Sequence, residues 1–241
     1  MAKYVVTGAS RGLGLEFARQ ILQKSETSVF ACCRNPSSAA ALDKLRQSAG
    51  SRLSVHELDV NSQDSIEKTA KEISKLAGGG IDVLINNAGI INSSGGLTKM
   101  QFSDLRTKRE LEEMFTTNVA GPVLVTQQFI PLLEQGGKKQ IVNISSNLAS
   151  ITLNDNNAPT MGYGVTKAAL NMATACLAKE LKDQGITVIS IHPGWVQTDM
   201  GGENAHLSPE QSISGMLKVI DGLSLSSTGK YLDYNGKELP W

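Results

Sequence analysis

Tyr163 and Lys167, in the stretch YGVTK, form the pair of side chains that most directly suggests a chemical role. Residues four apart on a helix share one face, so a phenol and an ammonium group at this spacing can serve one point in space. The alternative is a surface tyrosine beside a solvated lysine, because the pair is common enough to arise by chance. The interpretation therefore depends on support from other parts of the chain.

The first apolar run of the chain leads into a glycine-rich turn, TGASRGLG, at residues 7–14. Gly8, Gly12 and Gly14 would allow a tight turn and a close approach of the backbone to a pyrophosphate at a helix start. The spacing G-x-x-x-G-x-G departs from the G-x-G-x-x-G fingerprint, and a plain structural turn is the alternative. The position of the turn between a first strand and a first helix favours a dinucleotide site.

The end of the second predicted strand indicates which dinucleotide would bind. A site for NAD has an acidic residue there, about 20 residues after the glycines, to bind the ribose 2′-hydroxyl. This chain has Cys33 and Arg34 at that position, and Arg11 lies within the glycine turn. Two cations suit the 2′-phosphate of NADP, so the sequence predicts NADPH as the cofactor. Two solvated surface arginines are the alternative.

Seven short apolar or β-branched runs recur along the chain, and helical patterns separate most of them. The runs are KYVVTG, TSVFACC, RLSVHELDV, IDVLINNAG, KQIVNISS, ITVISIHPG and GKYLDY. The alternation predicts an α/β fold, a single doubly wound (Rossmann) domain over residues 1–241 with a seven-stranded parallel sheet flanked by helices. Long loops at 93–108 and 197–211 would follow strands four and six, at the edge where such sheets bind ligands.

The composition limits the classes of partner. The 241 residues are 40% hydrophobic and 19% charged, with a formal net charge of +0. These values argue against disorder, a nucleic-acid-binding surface and electrostatic attachment to a membrane. The apolar runs are short and the chain opens with a predicted strand, so we expect no signal peptide, no membrane span and a cytoplasmic protein.

The cysteines and histidines do not suggest a metal centre. Cys32, Cys33 and Cys176 form no C-x-x-C pair, and we expect all three to pack in the core. The three histidines lack metal-ligand spacing, so we expect no metal.

Several motifs together resemble those of the short-chain dehydrogenases/reductases. In chain order they are TGASRGLG, NNAG at 86–89, TTNVAG at 116–121, IVNISS at 141–146, YGVTK and HPGWVQTD at 192–199. The resemblance covers nearly the whole chain, and the ending YLDYNGKELPW is similar to that of the small carbonyl reductases of the Sniffer type. It implies NADPH-dependent reduction of aldehydes, ketones or quinones. The alternatives are another reductase of the family, acting on acyl thioesters or hydroxysteroids, and a non-catalytic regulator that binds NADPH.

The resemblance implies catalytic roles for Asn118, Ser146, Tyr163 and Lys167. Tyr163 would protonate the substrate carbonyl oxygen, and Ser146 would donate a hydrogen bond to that oxygen, with Ser145 as its rival. Asn118 would hold a water that links Lys167 to solvent, and a helix kink is its alternative role. A charge about 5 Å from a phenolate is worth roughly 3 kcal/mol at an effective dielectric constant of about 20. Lys167 is therefore expected to lower the pKa of Tyr163 by about two units.

The same resemblance implies a cofactor site built from the glycine turn and the ends of later strands. Asp59 would accept a hydrogen bond from the adenine amino group, and capping of the following helix is its alternative role. Asn86 and the small residues after it would pass close to the adenosine, and Thr198 would lie near the nicotinamide carboxamide. The full set is Gly8, Ser10, Arg11, Gly12, Leu13, Gly14, Arg34, Asp59, Val60, Asn87, Ala88, Gly89, Tyr163, Lys167, Pro193, Gly194, Val196 and Thr198.

Apolar residues beside the catalytic segments are candidates for the walls of a substrate pocket. They are Leu148, Ile151, Met161, Trp195 and Met200. No arginine stands among them to bind a carboxylate or phosphate, so a small apolar or aromatic carbonyl compound is the predicted substrate. Plain core packing is the alternative.

Two predicted helices, VAGPVLVTQQFIPLL and TKAALNMATACLAKEL, are apolar around much of their circumference. A helix that must hide more than one face is either deeply buried or paired across an interface. In the family that the chain resembles, these two helices commonly build a dimer. We therefore expect a homodimer.

Overall fold

The computed structural model describes residues 1–91, 108–154 and 161–241. Within them, seven strands form one parallel sheet in the order β3-β2-β1-β4-β5-β6-β7. The strands are β1 (Ala2–Thr7), β2 (Thr27–Cys33), β3 (Leu53–Glu57), β4 (Val83–Asn86), β5 (Gln140–Ile144), β6 (Thr187–His192) and β7 (Tyr231–Asp233). Six of them fall within the predicted runs and β1 begins one residue before its run, and the predicted parallel sheet flanked by helices is confirmed.

Helices cover both faces of the sheet. They are α1 (Gly12–Ile21), α2 (Ala40–Ala49), α3 (Gln63–Ala77), α4 (Lys108–Phe115), α5 (Gly121–Leu133), α6 (Met161–Glu180) and α7 (Pro209–Asp221). Helices α1, α2 and α7 contribute to the core on one face, and α3, α5 and α6 to the core on the other. None of the helices in the described ranges is both long and apolar enough to cross a bilayer.

The strands read as continuous apolar runs because both of their faces are buried. In β1, Val6 packs in the core that contains Phe17 of α1, whereas Val5 packs in the opposite core with Phe129 of α5. Successive side chains of a strand point to opposite faces, so a strand with helices on both sides needs an apolar residue at nearly every position.

The chain reverses its direction of travel across the sheet at β1. Val5 in β1 pairs with Phe30 in β2 on one side and with Leu84 in β4 on the other. The sheet grows outward to β3 on the first side and to β7 on the second. Such a switch point leaves a crevice beyond the carboxyl ends of the two central strands, where doubly wound folds bind ligands. The glycine turn after β1 and the NNAG segment after β4 both lie there.

The two predicted long loops have different outcomes. The segment 197–211 is a loop only as far as Ser208, because Pro209 begins α7 and Ser208 caps that helix with a capping box. The predicted loop at 93–108 lies outside the described residues except for Lys108, which begins α4.

The prediction that all three cysteines pack in the core is wrong for one of them. Cys32 and Cys33 are buried in β2, but Cys176 is exposed on α6. Helix α6 buries the face that carries Lys167, and Cys176 follows nine residues later, which is half a turn away at about 100° per residue. The sequence alone did not show which face of this mostly apolar helix is turned to solvent.

Candidate active site

Helix α6 places Tyr163 and Lys167 on one buried face, near the carboxyl ends of β4 and β5. The two residues are only 7% and 4% exposed. The Lys167 Nζ lies 5.6 Å from the centroid of the Tyr163 ring and donates a hydrogen bond of 2.9 Å to the backbone oxygen of Ile144 at the end of β5. The alternative of a solvated surface pair is therefore wrong, and the i, i+4 spacing brings the two polar groups together.

Burial shifts the pKa values of both groups. Desolvation raises the pKa of Tyr163 well above its usual range, and the nearby Tyr231 raises that pKa further. The same effect lowers the pKa of Lys167 to about 8. The expected net lowering of the pKa of Tyr163 is wrong for the protein by itself, because desolvation of the buried phenolate outweighs its stabilisation by Lys167. Tyr163 consequently keeps its proton at neutral pH, as a proton donor must.

Asn118 lies in a π-helical turn, Thr116–Ala120, between α4 and α5. Its fully buried side chain accepts a hydrogen bond from the Ile90 N–H at 2.8 Å and donates to the Ile90 oxygen at 2.9 Å. It also donates to Thr166 Oγ1 on α6 at 3.1 Å. The side chain thus ties the segment after β4 to the catalytic helix. A π-turn also widens the helix, so the local irregularity expected of a kink is present here.

Gly89 lies between the functional groups of two predicted catalytic residues. A Cβ atom at this position would lie 3.3 Å from Asn118 Oδ1 and 3.5 Å from Lys167 Nζ. The structure therefore brings the end of the NNAG motif next to the catalytic helix. It leaves little room for a larger residue than glycine.

The two rival serines differ in their hydrogen bonds. Ser145 Oγ donates to Asn171 Oδ1 on α6 at 2.7 Å, so its proton is already engaged within the protein. Ser146 Oγ accepts from the Leu148 N–H at 3.2 Å, and this bond leaves its hydroxyl proton available to a ligand. Both serines line the same cavity. The geometry favours Ser146 as the donor to a substrate oxygen.

The glycine turn is locked against the end of β4. Gly8 has a φ of +68°, which favours glycine, and a Cβ at Gly14 would lie 2.2 Å from the Gly8 oxygen and 2.6 Å from Asn87 Nδ2. The Asn87 Nδ2 donates to the backbone oxygen of Thr7 at 2.8 Å. Thr7 Oγ1 accepts from the N–H groups of Asn87 and Ala88, each at 3.0 Å. These bonds fix the shape of the crevice.

The start of α1 has the features of an anion site. Arg11 occupies the N-cap position, and its side chain makes no capping hydrogen bond. The first N–H groups of a helix have no intrahelical partner and present partial positive charge. Together with the close contacts of Gly14, this start is a cradle that suits a phosphate group. Ser10 and Leu13 lie in the same turn and at the helix start.

The two arginines expected to bind a 2′-phosphate have different surroundings. Arg34 follows β2 directly, is exposed, and has no ion-pair partner among the described residues. Arg11 Nη1 instead lies 2.8 Å from Asp199 Oδ2, and both side chains are about three-quarters exposed, at 76% and 77%. Arg11 is therefore paired in this structure, because the loop after β6 folds back over the glycine turn.

Asp59 does not cap the helix that follows it. Ser62 is the N-cap of α3, where its side chain accepts from the Ser65 N–H, so the capping alternative for Asp59 is wrong. Asp59 Oδ1 instead accepts from the Asn61 N–H at 3.0 Å, a local turn bond. The neighbouring Val60 is buried and packs against Gly121. A Cβ atom added at Gly121 would lie only 2.9 Å from the Val60 Cβ.

A cavity of about 350 Å³ opens beside Tyr163 and Ser146. Many residues expected at the cofactor or in the pocket wall line it, namely Leu13, Leu148, Pro193, Gly194, Trp195, Val196, Thr198 and Met200. Ile151 and Met161 do not line it, and they are 81% and 42% exposed, so their prediction as wall residues is wrong.

Asn147 and Gly201 also line the cavity, although neither was predicted from the sequence, and His192 lines it beside Pro193. Burial lowers the pKa of His192 to about 4, so its imidazole is neutral at physiological pH. A second cavity, of about 450 Å³, lies between α7 and β7 and contains none of the predicted site residues.

No group of three or more potential ligands in the described ranges could hold a metal ion.

Comparison with known proteins agrees with this geometry. The family model described as short chain dehydrogenase matches residues 3–207. An uncharacterized oxidoreductase of Schizosaccharomyces pombe is 35% identical over 260 residues, covering 99% of this chain and 97% of its own.

Solved structures place the chain near carbonyl reductases. The NADPH-bound carbonyl reductase from chicken fatty liver is 35% identical, with a TM-score of 0.91 and coverage of 100% of this chain and 99% of that one. The carbonyl reductase Sniffer of D. melanogaster is 32% identical, with a TM-score of 0.91 and full coverage of both chains, 100% and 100%. The predicted resemblance to carbonyl reductases of the Sniffer type is confirmed. With the matching glycine turn, catalytic helix and family model, the chain belongs to the short-chain dehydrogenase family of oxidoreductases.

Proposed function

We propose that this protein uses NADPH to reduce small apolar or aromatic carbonyl compounds, such as aldehydes, ketones and quinones, with Tyr163 as the proton donor. The observation that carries the proposal is the cavity of about 350 Å³ into which Tyr163 and Ser146 both open. Lys167 lies behind Tyr163, 5.6 Å from its ring.

The crevice fits a nicotinamide dinucleotide. The helix start at α1 and the close contacts of Gly8 and Gly14 suit a pyrophosphate, and Arg34 is exposed where a 2′-phosphate would lie. NADPH supplies the hydride for the reduction. Similarity to an NADPH-bound carbonyl reductase supports the choice of this cofactor. Arg11 would bind the 2′-phosphate only if its ion pair with Asp199 broke. Both side chains are highly exposed, so this ion pair contributes little stability and can be broken.

The remaining cofactor contacts are proposed from position. Asp59 and Val60 would lie beside the adenine, and Asn87, Ala88 and Gly89 beside the adenosine. Pro193, Gly194, Val196 and Thr198 would lie along the nicotinamide side, where they line the cavity. Lys167 would hold the ribose hydroxyls.

Four residues of the chain have distinct roles in the proton transfer. Tyr163 gives its proton to the carbonyl oxygen, and its raised pKa keeps that proton in place until charge develops on the oxygen. Ser146 donates a hydrogen bond to the same oxygen and stabilises the developing charge. Lys167 then stabilises the phenolate that Tyr163 leaves, and Asn118 would hold a water through which the proton is replaced.

The cavity lining supports an apolar substrate. Its described lining residues include Leu148, Trp195 and Met200 but no charged side chain, so a carboxylate or phosphate on the substrate would have no cationic partner there. A volume of about 350 Å³ is at the small end of ligand sites, and the nicotinamide would occupy part of it, which favours compact carbonyl compounds over steroids.

The test is the decrease in NADPH absorbance with a panel of quinones, aldehydes, a dicarbonyl and keto-thioesters. We expect turnover with the first three classes, a loss of at least about a hundredfold in kcat for Tyr163→Phe, and little change for Tyr4→Phe, a buried tyrosine of β1. Equal rates for Tyr163→Phe and wild type would remove Tyr163 from the mechanism. Tight NADPH binding without turnover of any compound would instead support a regulator.

We also propose that the protein is a homodimer. On α6, Val165 and Met172 are 50% and 66% exposed, and on the adjacent α4, Phe115 is 47% exposed. This apolar face would be covered by the same face of a second copy. Helix α5, by contrast, buries Val125 and Phe129 against the sheet, so the exposed part of the expected interface lies on α4 and α6.

The three free cysteines are consistent with a cytoplasmic location, which we propose as well.

A further inference from the structure

We propose that Tyr231 and Trp241 are positioning residues that hold Ser146 in the orientation needed for the reduction. The proposal rests on the proposed function, because it takes Ser146 as the hydrogen-bond donor to the substrate oxygen. Tyr231 is not among the described residues that line the cavity. Any effect of Tyr231 on the reaction must therefore pass through a residue that does line it.

The first contact joins Tyr231 directly to the serine. Tyr231 lies in β7 and is only 1% exposed. Its hydroxyl donates a hydrogen bond to the backbone oxygen of Ser146. Ser146 has an extended backbone, with φ −155° and ψ 149°. A bond to its carbonyl oxygen fixes the peptide plane that follows Ser146, and with it the direction in which the Ser146 side chain leaves the backbone.

The second contact holds Tyr231 itself. The segment 237–241, which we call the return segment, runs back along β7, and the Leu239 N–H donates to the Tyr231 oxygen at 2.8 Å. It brings the Trp241 ring onto the Tyr231 ring, with centroids 5.3 Å apart and an angle of 26° between the planes. This stacking restricts the tyrosine ring and therefore the direction of its hydroxyl.

The return segment also binds the far end of the loop that contains Ser146. Ser150 Oγ donates to the Pro240 oxygen at 2.7 Å. Thr152 donates to the Trp241 oxygen from its N–H at 3.1 Å and from its Oγ1 at 2.9 Å. The loop from Ser146 to Thr152 is consequently held at both ends by β7 and the return segment.

The short turn between these two ends contacts the serine hydroxyl. Residues Asn147–Ala149 form a 3₁₀ turn, in which the Leu148 N–H donates to Ser146 Oγ at 3.2 Å. If either end of the loop moved, this N–H and the Ser146 oxygen would move with it. Ser146 would then lose the hydrogen bond that fixes its backbone oxygen and the one to its hydroxyl, which together orient its side chain.

A double-mutant cycle tests this route. Tyr231→Phe, Ser146→Ala and the double variant are compared for kcat with NADPH and a reactive dicarbonyl, per active site counted by NADPH titration. We expect Tyr231→Phe to lower kcat by about tenfold with the affinity for NADPH unchanged, and to have no further effect when Ser146 is already alanine. Tyr4→Phe, which removes another buried phenol, should leave kcat unchanged.

Two substitutions of Trp241 test its role. We expect Trp241→Ala to lower kcat as Tyr231→Phe does, and Trp241→Phe, which can still stack, to restore most of the loss. Melting temperatures identify any variant that fails to fold. Such a variant is replaced by Thr152→Val, which removes the hydrogen bond from Thr152 Oγ1 to the Trp241 oxygen and so weakens the contact between the loop and the return segment.

The outcomes separate this inference from the proposed function. If Ser146→Ala keeps wild-type activity, the proposed role of Ser146 is wrong. If Ser146→Ala loses activity but Tyr231→Phe lowers kcat by the same factor in both backgrounds, Tyr231 acts independently of Ser146, either through its effect on the pKa of Tyr163 or through a general structural role, and the inference is overturned. Wild-type kcat in Tyr231→Phe also overturns it.

Discussion

Replacement of Lys167 by methionine should make the protein more stable and far less active. Burial lowers the pKa of Lys167 from 10.5 to about 8, which corresponds to a cost of about 3 kcal/mol for holding the charged form in the folded state. Methionine has a similar length and no charge. Its introduction removes the donor that lies 2.9 Å from the Ile144 oxygen, and leaving that oxygen without this partner costs about 1–2 kcal/mol. A net gain of about 1–2 kcal/mol remains.

The pH dependence of this gain follows from the direction of the pKa shift. The folded chain releases the Lys167 proton at about pH 8 and the unfolded chain at about 10.5. Between these values the unfolded state binds more protons, so wild-type stability rises with pH. The full cost of the charge is present below pH 8 and is relieved as the pH approaches 10.5. The advantage of Lys167→Met should therefore be largest at pH 7 and disappear between about pH 9 and 10, where the remaining cost of the charge equals the loss of the hydrogen bond to Ile144. Near pH 10.5 the variant should be slightly less stable than wild type.

Thermal unfolding at pH 7 and pH 10 measures the effect. At pH 7 the melting temperature should rise by about 2–8 °C in Lys167→Met, and kcat should fall by at least about a hundredfold because the Tyr163 phenolate loses its cation. Lys179→Met, which changes an exposed lysine of the same helix, is the matched control and should change neither quantity. A variant that is less stable than wild type at pH 7, or a difference that does not shrink as the pH rises, would contradict this prediction.

Three further changes test other parts of the site. Gly14→Ala places a Cβ 2.2 Å from the Gly8 oxygen, so we expect a loss of about 1–3 kcal/mol in stability and weaker NADPH binding by calorimetry. The control Gly222→Ala, whose Cβ would have its nearest neighbours at 3.6 Å, should bind NADPH normally. Unchanged NADPH affinity in Gly14→Ala would contradict the assignment of the crevice as the cofactor site. Arg34→Asp should raise the Kd for NADPH by about tenfold or more and leave that for NADH nearly unchanged, and equal affinities for NADPH before and after the change would rule out a 2′-phosphate contact. Met172→Glu should shift sedimentation at micromolar concentration from dimer to monomer, while a wild-type protein that is already monomeric would refute the homodimer.

Features that depend on local geometry could be predicted from the sequence alone. The spacing of Tyr163 and Lys167 puts both on one helix face whatever the rest of the chain does, because the helical repeat fixes the angle between residues four apart. The glycine turn after the first strand is similarly local, and it predicts the close contacts seen at Gly8 and Gly14. The apolar runs predicted the seven-stranded sheet because strands buried on both faces need them.

Features that depend on contacts between distant residues were decided only by the tertiary structure. The pKa of Tyr163 is raised and not lowered, since desolvation depends on how many groups from other elements cover the phenol. Arg11 pairs with Asp199, which lies 188 residues later in the chain, and no local pattern indicates such a contact. Tyr231 reaches the Ser146 oxygen only because β7 is added to the sheet beside β6. Sequence spacing sets the angles between neighbours, but burial, charge pairing and the hold on Ser146 arise only when distant segments pack together.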